Sequence, residues 1–316
     1  MIQDEVGRRA EVVDAALAEL DFGDDDAREL HEASRYLLEA GGKRLRPAIV
    51  LLVSEALDGG REQAMPAALA VEITHSFTLI HDDIMDDDPV RRGRPSVHVR
   101  WDVETAILTG DFLYSKAFEQ VLDHVHPAER QNRMLRVLAE TCTRICEGQY
   151  LDVGGEIQTE DDYLRMVELK TGVLFGAAAA LGGLSAGATE EDVDRLYDFG
   201  VKTGEAFQIH DDILDLTTPS EDLGKRRGSD LLEGKQTLVA LHAQQQGVDP
   251  YLEADATEDD VARKVEELRE VGSLDYAERR ANSLVEEGKR ALSVLPESRE
   301  REHLMELADY LVSREY

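Results

Sequence analysis

The sequence predicts an all-α fold, and three observations indicate it. Apolar residues recur at helical spacing along almost the whole chain. No convincing run of alternating apolar and polar residues marks a strand. The chain is 42% hydrophobic but only 5% aromatic, and its apolar residues are mostly Ala, Leu and Val. This composition favours packing of helix on helix over a β-sandwich.

The helices can be placed in order along the chain. Thr189 before three acidic residues is typical of a helix N-terminus, and Pro89 and Pro219 each stop the helix before them. No linker rich in Gly, Ser or Pro divides the chain, which predicts one domain over residues 1–316. Apolar periodicity predicts helices at about 4–20, 27–40, 46–57, 63–87, 102–122, 128–153, 160–183, 190–217, 230–246, 258–270, 274–293 and 297–313.

The net charge limits the possible partners. Lys and Arg number 35 against 67 Asp and Glu, which gives −32 and a pI near 4.5. Such a surface repels nucleic acids and anionic lipid headgroups, so we expect no nucleic-acid partner. Only eight of the 35 basic residues are lysines. An acidic surface poor in lysine resembles that of proteins from salt-accumulating halophiles; the alternative is an ordinary acidic cytosolic protein. At molar salt the Debye length is about 3 Å, so self-repulsion would be screened.

The two cysteines, the first residues and the most apolar stretch bear on metal binding and on the location of the protein. Cys142 and Cys146 lie one turn apart without a second thiol pair, which predicts small buried hydrophobes rather than a zinc site. The first five residues are acidic and polar, which predicts no signal peptide. The stretch 172–188 is short and rich in Gly and Ala, so we interpret it as a helix in tight protein contact and not a membrane span. We therefore expect a cytoplasmic protein.

Two copies of one acidic pentad each close an apolar helical run. They are Asp-Asp-Ile-Met-Asp at 82–86 and Asp-Asp-Ile-Leu-Asp at 211–215. At helical spacing the first and last Asp of each pentad project from the same face, one turn apart. Carboxylates this close repel each other unless cations lie between them, and hard oxygen ligands suit Mg²⁺ bridging to substrate phosphates. One such pentad could arise by chance, but two at the ends of apolar segments predict a metal site.

Three basic clusters accompany the pentads in this acidic chain. Gly-Gly-Lys-Arg-Leu-Arg-Pro lies at 41–47, Arg-Arg-Gly-Arg at 91–94, and Gly-Lys-Arg-Arg at 224–227 with Lys235 after it. Glycine lets the backbone approach an anion closely. Arg and Lys bind phosphate directly, so the clusters and the pentads together predict a site for two polyanions, one of them held through Mg²⁺.

Together these motifs resemble those of the trans-isoprenyl diphosphate synthases, the head-to-tail prenyltransferases that include farnesyl and geranylgeranyl diphosphate synthases. The resemblance runs from about residue 30 to 240 and includes Gly-Gln-x-x-Asp at 148–152, Lys-Thr at 170–171 and Gly-x-x-Phe-Gln-Ile-x-Asp-Asp-x-x-Asp at 204–215. It implies a helical bundle of the isoprenoid synthase type around a central cavity. It also implies isopentenyl diphosphate and an allylic diphosphate as substrates, three Mg²⁺ ions per site and a homodimer.

The resemblance assigns roles residue by residue. The principal Mg²⁺ ligands would be Asp82, Asp86 and Asp211, supported by Asp83, Asp212 and Asp215. The allylic diphosphate would contact Arg91, Lys170 and Lys225, with help from Lys235. The isopentenyl diphosphate site would comprise Lys43, Arg46, His75 and Arg92. Thr171 and Gln208 would lie near the reacting carbons. His75 precedes Asp82 by two helical turns, so both lie on one face of the predicted helix.

Two residues shortly before the first pentad, Phe77 and Thr78, bear on the length of the product. Phe77 lies five residues before Asp82, about 7 Å down the helix axis, where an aromatic ring could floor the cavity that receives the growing chain. Phe77 with Thr78 resembles the archaeal-type pattern for a C20 product, so we expect geranylgeranyl diphosphate. The alternatives are a farnesyl or C25 synthase, a terpene cyclase, a non-catalytic partner subunit and an acidic helical cation-binding protein without catalysis.

Overall fold

The computed structural model describes residues 1–23, 25–123, 126–220 and 226–314, and these are predominantly helical. The predicted all-α fold is confirmed. One feature of the described residues was not predicted, a small antiparallel hairpin of strands β1 (Val90–Arg91) and β2 (Arg94–Pro95), in which Val90 pairs with Pro95. The chain groups into two compact units, so one domain over 1–316 stays a prediction.

The first unit comprises Met1–Cys142, Ala177–Tyr197 and Val294–Leu304. Its core includes α4, which packs against α3 and α6. Small buried residues such as Ala64, Ala67 and Ala68 allow this close packing along one side of α4. The helices of its first segment are α1 (Ile2–Ala18), α2 (Arg28–Leu38), α3 (Leu45–Ala56), α4 (Arg61–Met85), α5 (Val97–Arg100), α6 (Val103–Leu122) and α7 (Ala128–Gly154), which continues into the second unit; a 3₁₀ turn covers Asp25–Ala27.

The second unit comprises Thr143–Gly176, Asp198–Ser293 and Met305–Tyr316. Its helices begin with side-chain caps at several points, and Thr159 and Thr257 both form capping boxes with an Asp three residues later. The remaining helices of the chain are α8 (Glu160–Val167), α9 (Val173–Ala186), α10 (Glu190–Thr217), α11 (Ser229–Leu232), α12 (Leu238–Gln245), α13 (Glu258–Glu270), α14 (Ser273–Ala291) and α15 (Arg299–Ser313), with a 3₁₀ turn at Leu292–Val294.

Two predicted helices are interrupted. The helix predicted at 160–183 contains a π-helical turn, Glu168–Gly172, between α8 and α9. Gly148 lies against this turn, where a Cβ would come within 2.3 Å of the Lys170 amide nitrogen, so only glycine permits this approach of α7. The helix predicted at 230–246 breaks after α11, because Gly234 has φ 73° and Thr237 caps a new helix.

A helix cap at Thr189, the two cysteines and one long apolar helix were also features of the sequence prediction. The Thr189 hydroxyl accepts a hydrogen bond from the Asp192 amide at 3.2 Å, as the predicted cap requires. Cys142 is buried as predicted, but Cys146 is exposed, because four residues advance about 40° beyond one full helical turn. Among the described residues, one helical stretch is long and apolar enough to span a membrane, Glu160–Ala186, and 89% of its apolar window is buried inside the protein.

Candidate active site

The first pentad lies at the end of α4 and divides into exposed and buried carboxylates. The Asp86 amide donates to the Asp82 carbonyl at 2.9 Å, so Asp86 closes the last turn although the helix ends at Met85. Asp82 is half-buried and Asp86 is exposed. Asp83 is only 1% exposed, because one residue rotates about 100° around the helix and turns this side chain into the protein. The i, i+4 pair predicted from the sequence is therefore Asp82 and Asp86.

Buried Asp83 holds the first arginine of the hairpin. The Arg91 guanidinium donates from Nε to Asp83 Oδ1 at 2.7 Å, and its Nη2 donates to Asp88 at 3.2 Å. Burial raises the pKa of the Asp83 carboxyl, while the bond to Arg91 lowers it. The contact of Asp83 in this structure is thus with Arg91, the residue predicted to bind the allylic diphosphate; its predicted supporting role toward Mg²⁺ stays a prediction.

A buried carboxylate, Glu72 of α4, organises the basic loop at 41–47. The Arg44 guanidinium forms an ion pair with Glu72 and donates from Nε to Asp14 at 2.7 Å. Arg44 itself has φ 46°, a left-handed conformation that is uncommon for a residue other than glycine. Arg92 lies 3.8 Å from Glu72 and donates to the Gly41 carbonyl, which joins the loop to the hairpin. Glu72 was not among the site residues predicted from the sequence.

Three other residues predicted for the isopentenyl diphosphate site lie in or beside this cluster: His75, Arg46 and Lys43. His75 lies one helical turn beyond Glu72. Burial, followed by the charges of Arg46 and Arg92, holds the pKa of the His75 imidazole well below its usual value, so the ring is neutral at pH 7. Arg46 is half-buried and Lys43 is exposed.

The residues predicted to set product length lie on the same helix. The Phe77 ring is 6% exposed and meets the ring of Tyr114, on α6, edge to face. The Thr78 hydroxyl donates to the His75 carbonyl at 2.8 Å, so its proton is used within the helix. Tyr114 was not identified from the sequence, because only the tertiary contact between α4 and α6 connects it with Phe77.

The second pentad lies near the end of α10. Asp211 is half-buried and forms an ion pair with Arg314, just beyond α15. Asp215 is buried, and its carboxylate accepts from the Ser229 hydroxyl at 2.7 Å and from the Asp230 amide at 3.2 Å. In this pentad Asp211 is thus the more exposed aspartate and Asp212 and Asp215 are buried, whereas in the first pentad only Asp83 is buried. Arg314 lies beyond the region of motif resemblance and carries no signal in the sequence.

Asp212 is the third aspartate of this pentad and belongs to a buried chain of hydrogen bonds. Its Oδ2 accepts from the Tyr163 hydroxyl at 2.6 Å, and its Oδ1 accepts from the Gln208 amide nitrogen at 2.9 Å. The Gln208 carbonyl oxygen accepts from the Thr171 hydroxyl at 3.0 Å. Burial, followed by the charge of Asp230, raises the pKa of Asp212. Burial likewise holds the pKa of Tyr163 well above its ordinary value.

Two of the lysines predicted to contact the allylic diphosphate, Lys170 and Lys235, form ion pairs with nearby carboxylates. Lys170 lies in the π-helical turn and forms an ion pair with Asp152 at 2.5 Å, which links the Lys-Thr motif to the Gly-Gln-x-x-Asp motif of α7. Such turns are often found at functional sites. Lys235 lies 3.0 Å from Glu233 and 3.8 Å from Asp230. Lys225 lies outside the described residues.

The donor groups fit Mg²⁺ by their chemistry. Within the described ranges, no group of three or more His, Cys, Asp or Glu side chains is arranged to hold a metal ion. The less buried aspartates, Asp82, Asp86 and Asp211, offer only carboxylate oxygens, and Mg²⁺ is commonly held by one or two carboxylates together with substrate phosphates. By this chemistry, Asp82 and Asp86 in the first unit, and Asp211 in the second, are each suited to bind Mg²⁺ together with a diphosphate, and their roles as ligands stay predictions.

An all-α fold with two aspartate pentads and accompanying basic clusters defines a class of protein, and comparison with known proteins names it. The chain matches the family described as Polyprenyl synthetase over residues 27–271. It is 49% identical to a geranylgeranyl diphosphate synthase from Methanosarcina mazei over 99% of this chain and 98% of that protein. It is 47% identical to a geranylfarnesyl diphosphate synthase from Natronomonas pharaonis, over 100% and 98% of the two chains.

Solved structures agree with these relatives. The geranylgeranyl pyrophosphate synthetase from the archaeon Geoglobus acetivorans superposes with a TM-score of 0.91 at 41% identity, over 98% of this chain and 99% of that one. That from Pyrococcus horikoshii gives 0.88 at 38% identity, over 99% and 98%. The chain belongs to the polyprenyl synthetase family and is a trans-prenyltransferase. The family resemblance predicted from the sequence is confirmed, and enzymes of this family generally depend on Mg²⁺.

Proposed function

We propose that this protein condenses isopentenyl diphosphate with an allylic diphosphate and that its product is geranylgeranyl diphosphate, with 20 carbons. The observation that carries this proposal is the pairing of each aspartate pentad with cationic side chains. Arg91 and Arg92 follow the first pentad, and Arg91 forms an ion pair with Asp83. In the second pentad Asp211 forms an ion pair with Arg314. Lys170 precedes Thr171, whose hydroxyl donates to Gln208. Anionic substrates and a developing allylic cation both find suitable partners in such a site.

Ionisation of the allylic substrate is the first step. The bond between C1 and the diphosphate oxygen breaks, and the electron pair leaves with the diphosphate. Bound Mg²⁺ would supply Lewis-acid stabilisation of that leaving group, held by Asp82, Asp86 and Asp211. Arg91 and Lys170 donate hydrogen bonds to the same developing charge. Asp83 supports this step indirectly, because it fixes the Arg91 guanidinium in place.

Condensation is the second step. Lys43, Arg46, His75 and Arg92 bind isopentenyl diphosphate, and the neutral His75 ring can still donate one hydrogen bond. The double bond of isopentenyl diphosphate attacks C1 of the allylic cation, forms the new carbon–carbon bond and then loses a proton to the departed diphosphate. Helical walls exclude water, which would otherwise trap the cation as an alcohol.

Product length rests on Phe77. Its ring is nearly fully buried and packs against Tyr114, about 7 Å along α4 from the first aspartate, and this packing supports a role as the barrier to the growing chain. The relative named as a geranylgeranyl diphosphate synthase supports a product of 20 carbons. The Natronomonas pharaonis relative is named for a product of 25 carbons. A C25 synthase is therefore the second candidate. Three Mg²⁺ ions per site and a homodimer are further parts of the proposal.

One experiment tests both activity and chain length. Radiolabelled isopentenyl diphosphate is incubated with the enzyme, Mg²⁺ and each allylic primer in turn, and the dephosphorylated products are separated by chromatography. We expect geranylgeraniol as the main final product from every accepted primer. A main product of 25 carbons would overturn the C20 assignment but retain the reaction. No labelled product with any primer would overturn the reaction itself.

A further inference from the structure

The last turns of α4 are joined to α6 by the histidine that precedes the first pentad. His81 is half-buried, and its Nε2 lies 3.2 Å from the carbonyl oxygen of Ile107 on α6. A carbonyl oxygen only accepts hydrogen bonds, so Nε2 carries a hydrogen and donates it, whatever the charge of the ring. One turn earlier, the ring of Phe77 meets the His81 ring edge to face, with 6.1 Å between the centroids. Phe77 itself packs against Tyr114 of α6, so two successive turns of α4 face that helix.

A glycine in the interior of α6 makes this approach possible. Gly110 is buried, and a Cβ at its position would lie 2.1 Å from His81 Nε2. Cβ atoms are essentially never found within 3.0 Å of such an atom, so a larger residue would displace the ring by about 0.9 Å or more. Glycine inside a helix is destabilising relative to alanine, because its backbone loses more conformational freedom on folding. The His81 ring is therefore a physical reason for a glycine at this point of α6.

The tethered histidine is the neighbour of a carboxylate proposed to bind Mg²⁺. Successive residues of a helix point about 100° apart, so His81, Asp82 and Asp83 face three different directions. His81 donates to α6 on one side, and Asp83 holds the Arg91 guanidinium on the other. Asp82 projects between these two anchored side chains, and Asp86 follows one turn later. The directions of Asp82 and Asp86 thus depend on the contacts at either side of them.

We propose that His81 is a positioning residue for the binding of Mg²⁺ and the allylic diphosphate. Its hydrogen bond to α6 fixes the directions in which Asp82 and Asp86 project. This inference rests on the proposed function, in which both carboxylates hold the ion together with the diphosphate. Mg²⁺ requires a nearly octahedral arrangement of oxygens at about 2.0–2.1 Å, so a small displacement of a carboxylate weakens its binding. The pentad occupies the end of α4, and helix ends fray unless other contacts hold them.

The test compares two ligands that the proposed site holds in different ways. An allylic thiolodiphosphate does not ionise and is held through Mg²⁺, whereas isopentenyl diphosphate is held directly by basic side chains. Dissociation constants for both are measured by calorimetry in the presence of Mg²⁺. We expect His81→Ala to weaken the thiolodiphosphate about three- to tenfold, the usual contribution of one hydrogen bond, and to change isopentenyl diphosphate less than about twofold. His81→Gln keeps an N–H that can donate to Ile107, so it should bind the thiolodiphosphate within about twofold of the wild type.

Gly110 provides an independent variant of the same contact. Gly110→Ala should weaken the thiolodiphosphate by a similar factor, because the added Cβ displaces the His81 ring from Ile107. In a chain that already carries His81→Ala, the same substitution should have no further effect, since no ring is left to displace. Additive effects of the two substitutions would overturn the inference. If Gly110→Ala does not fold, the two His81 variants still decide the question.

A matched control is available in the same unit. His31 of α2 also packs its ring against α6, on Phe112, with 5.4 Å between the centroids. It lies outside the proposed site, so His31→Ala should leave both dissociation constants unchanged. Equal weakening of both ligands by His81→Ala would show that His81 acts only on the fold. That result would overturn the inference, as would unchanged binding of both ligands.

Two further outcomes concern the product. A longer product from His81→Ala with unchanged ligand binding would assign His81 to the wall of the cavity beside Phe77 and would overturn the positioning role. The wild type separates this inference from the proposed function. No prenyl product from the wild type refutes the function itself, whereas normal product formation with unaltered thiolodiphosphate binding in His81→Ala refutes only the role of His81.

Discussion

The rings of Phe77 and Tyr114 meet edge to face, with 5.4 Å between their centroids and 87° between their planes. The Tyr114 ring also packs against the ring of Phe118, with 5.1 Å between the two centroids. Edge-to-face pairs of this kind stabilise a fixed ring orientation. The aromatic residue proposed to limit the growing chain is thus supported by a second aromatic layer on α6, which would be the next barrier if the first were removed.

Replacement of Phe77 by alanine should lengthen the product by about one isoprene unit. Removal of the ring leaves room for a longer chain, which gains about 0.8 kcal/mol per buried methylene. Tyr114 remains, so elongation should stop near 25 carbons. Chromatography of the dephosphorylated products measures this. Tyr114→Phe, which keeps the ring, should still give C20 and is the control. Loss of about 3–5 kcal/mol of stability with an unchanged product would show that the core collapses around the missing ring.

The more exposed aspartates should be essential for turnover. We expect Asp82→Asn and Asp211→Asn each to lower kcat at least about a hundredfold, because each loses a charge that acts on the leaving diphosphate. Far-UV circular dichroism should show unchanged helicity. Arg314→Ala removes the partner of Asp211 but no proposed ligand, so it should lower kcat much less. Activity near that of the wild type for either aspartate variant at saturating Mg²⁺ would contradict the assigned metal site.

Glu72 should act through its arginine partners on one substrate only. Glu72→Gln keeps the shape but removes the buried charge shared by Arg44 and Arg92. We expect the KM for isopentenyl diphosphate to rise about tenfold, as in Arg92→Ala, with little change in the KM for the allylic substrate. Asp14→Asn removes the more exposed partner of Arg44 and should have a small effect, since exposed ion pairs contribute about 0–1 kcal/mol. Equal changes in both KM values would count against this division.

Lys225 provides the complementary test. It belongs to the basic cluster after the second pentad and is proposed to contact the allylic diphosphate. Lys225→Ala should therefore raise the KM for the allylic substrate more than that for isopentenyl diphosphate. Separate titrations of the two substrates measure this. A larger effect on isopentenyl diphosphate would reverse the assignment.

The sequence was sufficient for the features that depend on local periodicity. Apolar spacing predicted the long helices, and the pentads end α4 and α10 as expected. Periodicity could not show which aspartates contact other side chains, because that depends on partners distant in the chain. Asp83 is held by Arg91 of an unpredicted hairpin, and Asp211 by Arg314. The π-helical turn was missed for the same reason: it accompanies the close approach of Gly148, which no local pattern encodes.

The high negative charge should make stability depend on salt. The formal net charge is −32, and repulsion among surface carboxylates opposes the compact state. Screening shortens the Debye length from about 10 Å at 0.1 M to about 3 Å at 1 M. We therefore expect Tm to rise as KCl increases from dilute to molar concentration, measured by scanning calorimetry at constant pH. An unchanged Tm would remove the argument for a halophilic surface.

His75 should make stability depend on pH in a defined direction. In the folded protein its pKa is well below 6.5, first because of burial and then because of nearby arginines, whereas in the unfolded chain it is about 6.5. Below pH 6.5 the unfolded chain therefore binds a proton that the folded protein does not bind. Stability is fully present above the unfolded pKa and falls as pH decreases, by up to about 1.4 kcal/mol per pH unit for this one group.

The variant His75→Gln isolates this contribution. Glutamine does not titrate, so the free energy of unfolding of the variant should fall less steeply between pH 7 and pH 5 than that of the wild type. Denaturant unfolding at several pH values gives both curves. The other histidines, including His210 with its own lowered pKa, are present in both proteins, so their contributions cancel in the difference. Parallel curves would show that His75 takes up a proton equally well in the folded protein, and they would remove the argument that a neutral imidazole adjoins the isopentenyl diphosphate.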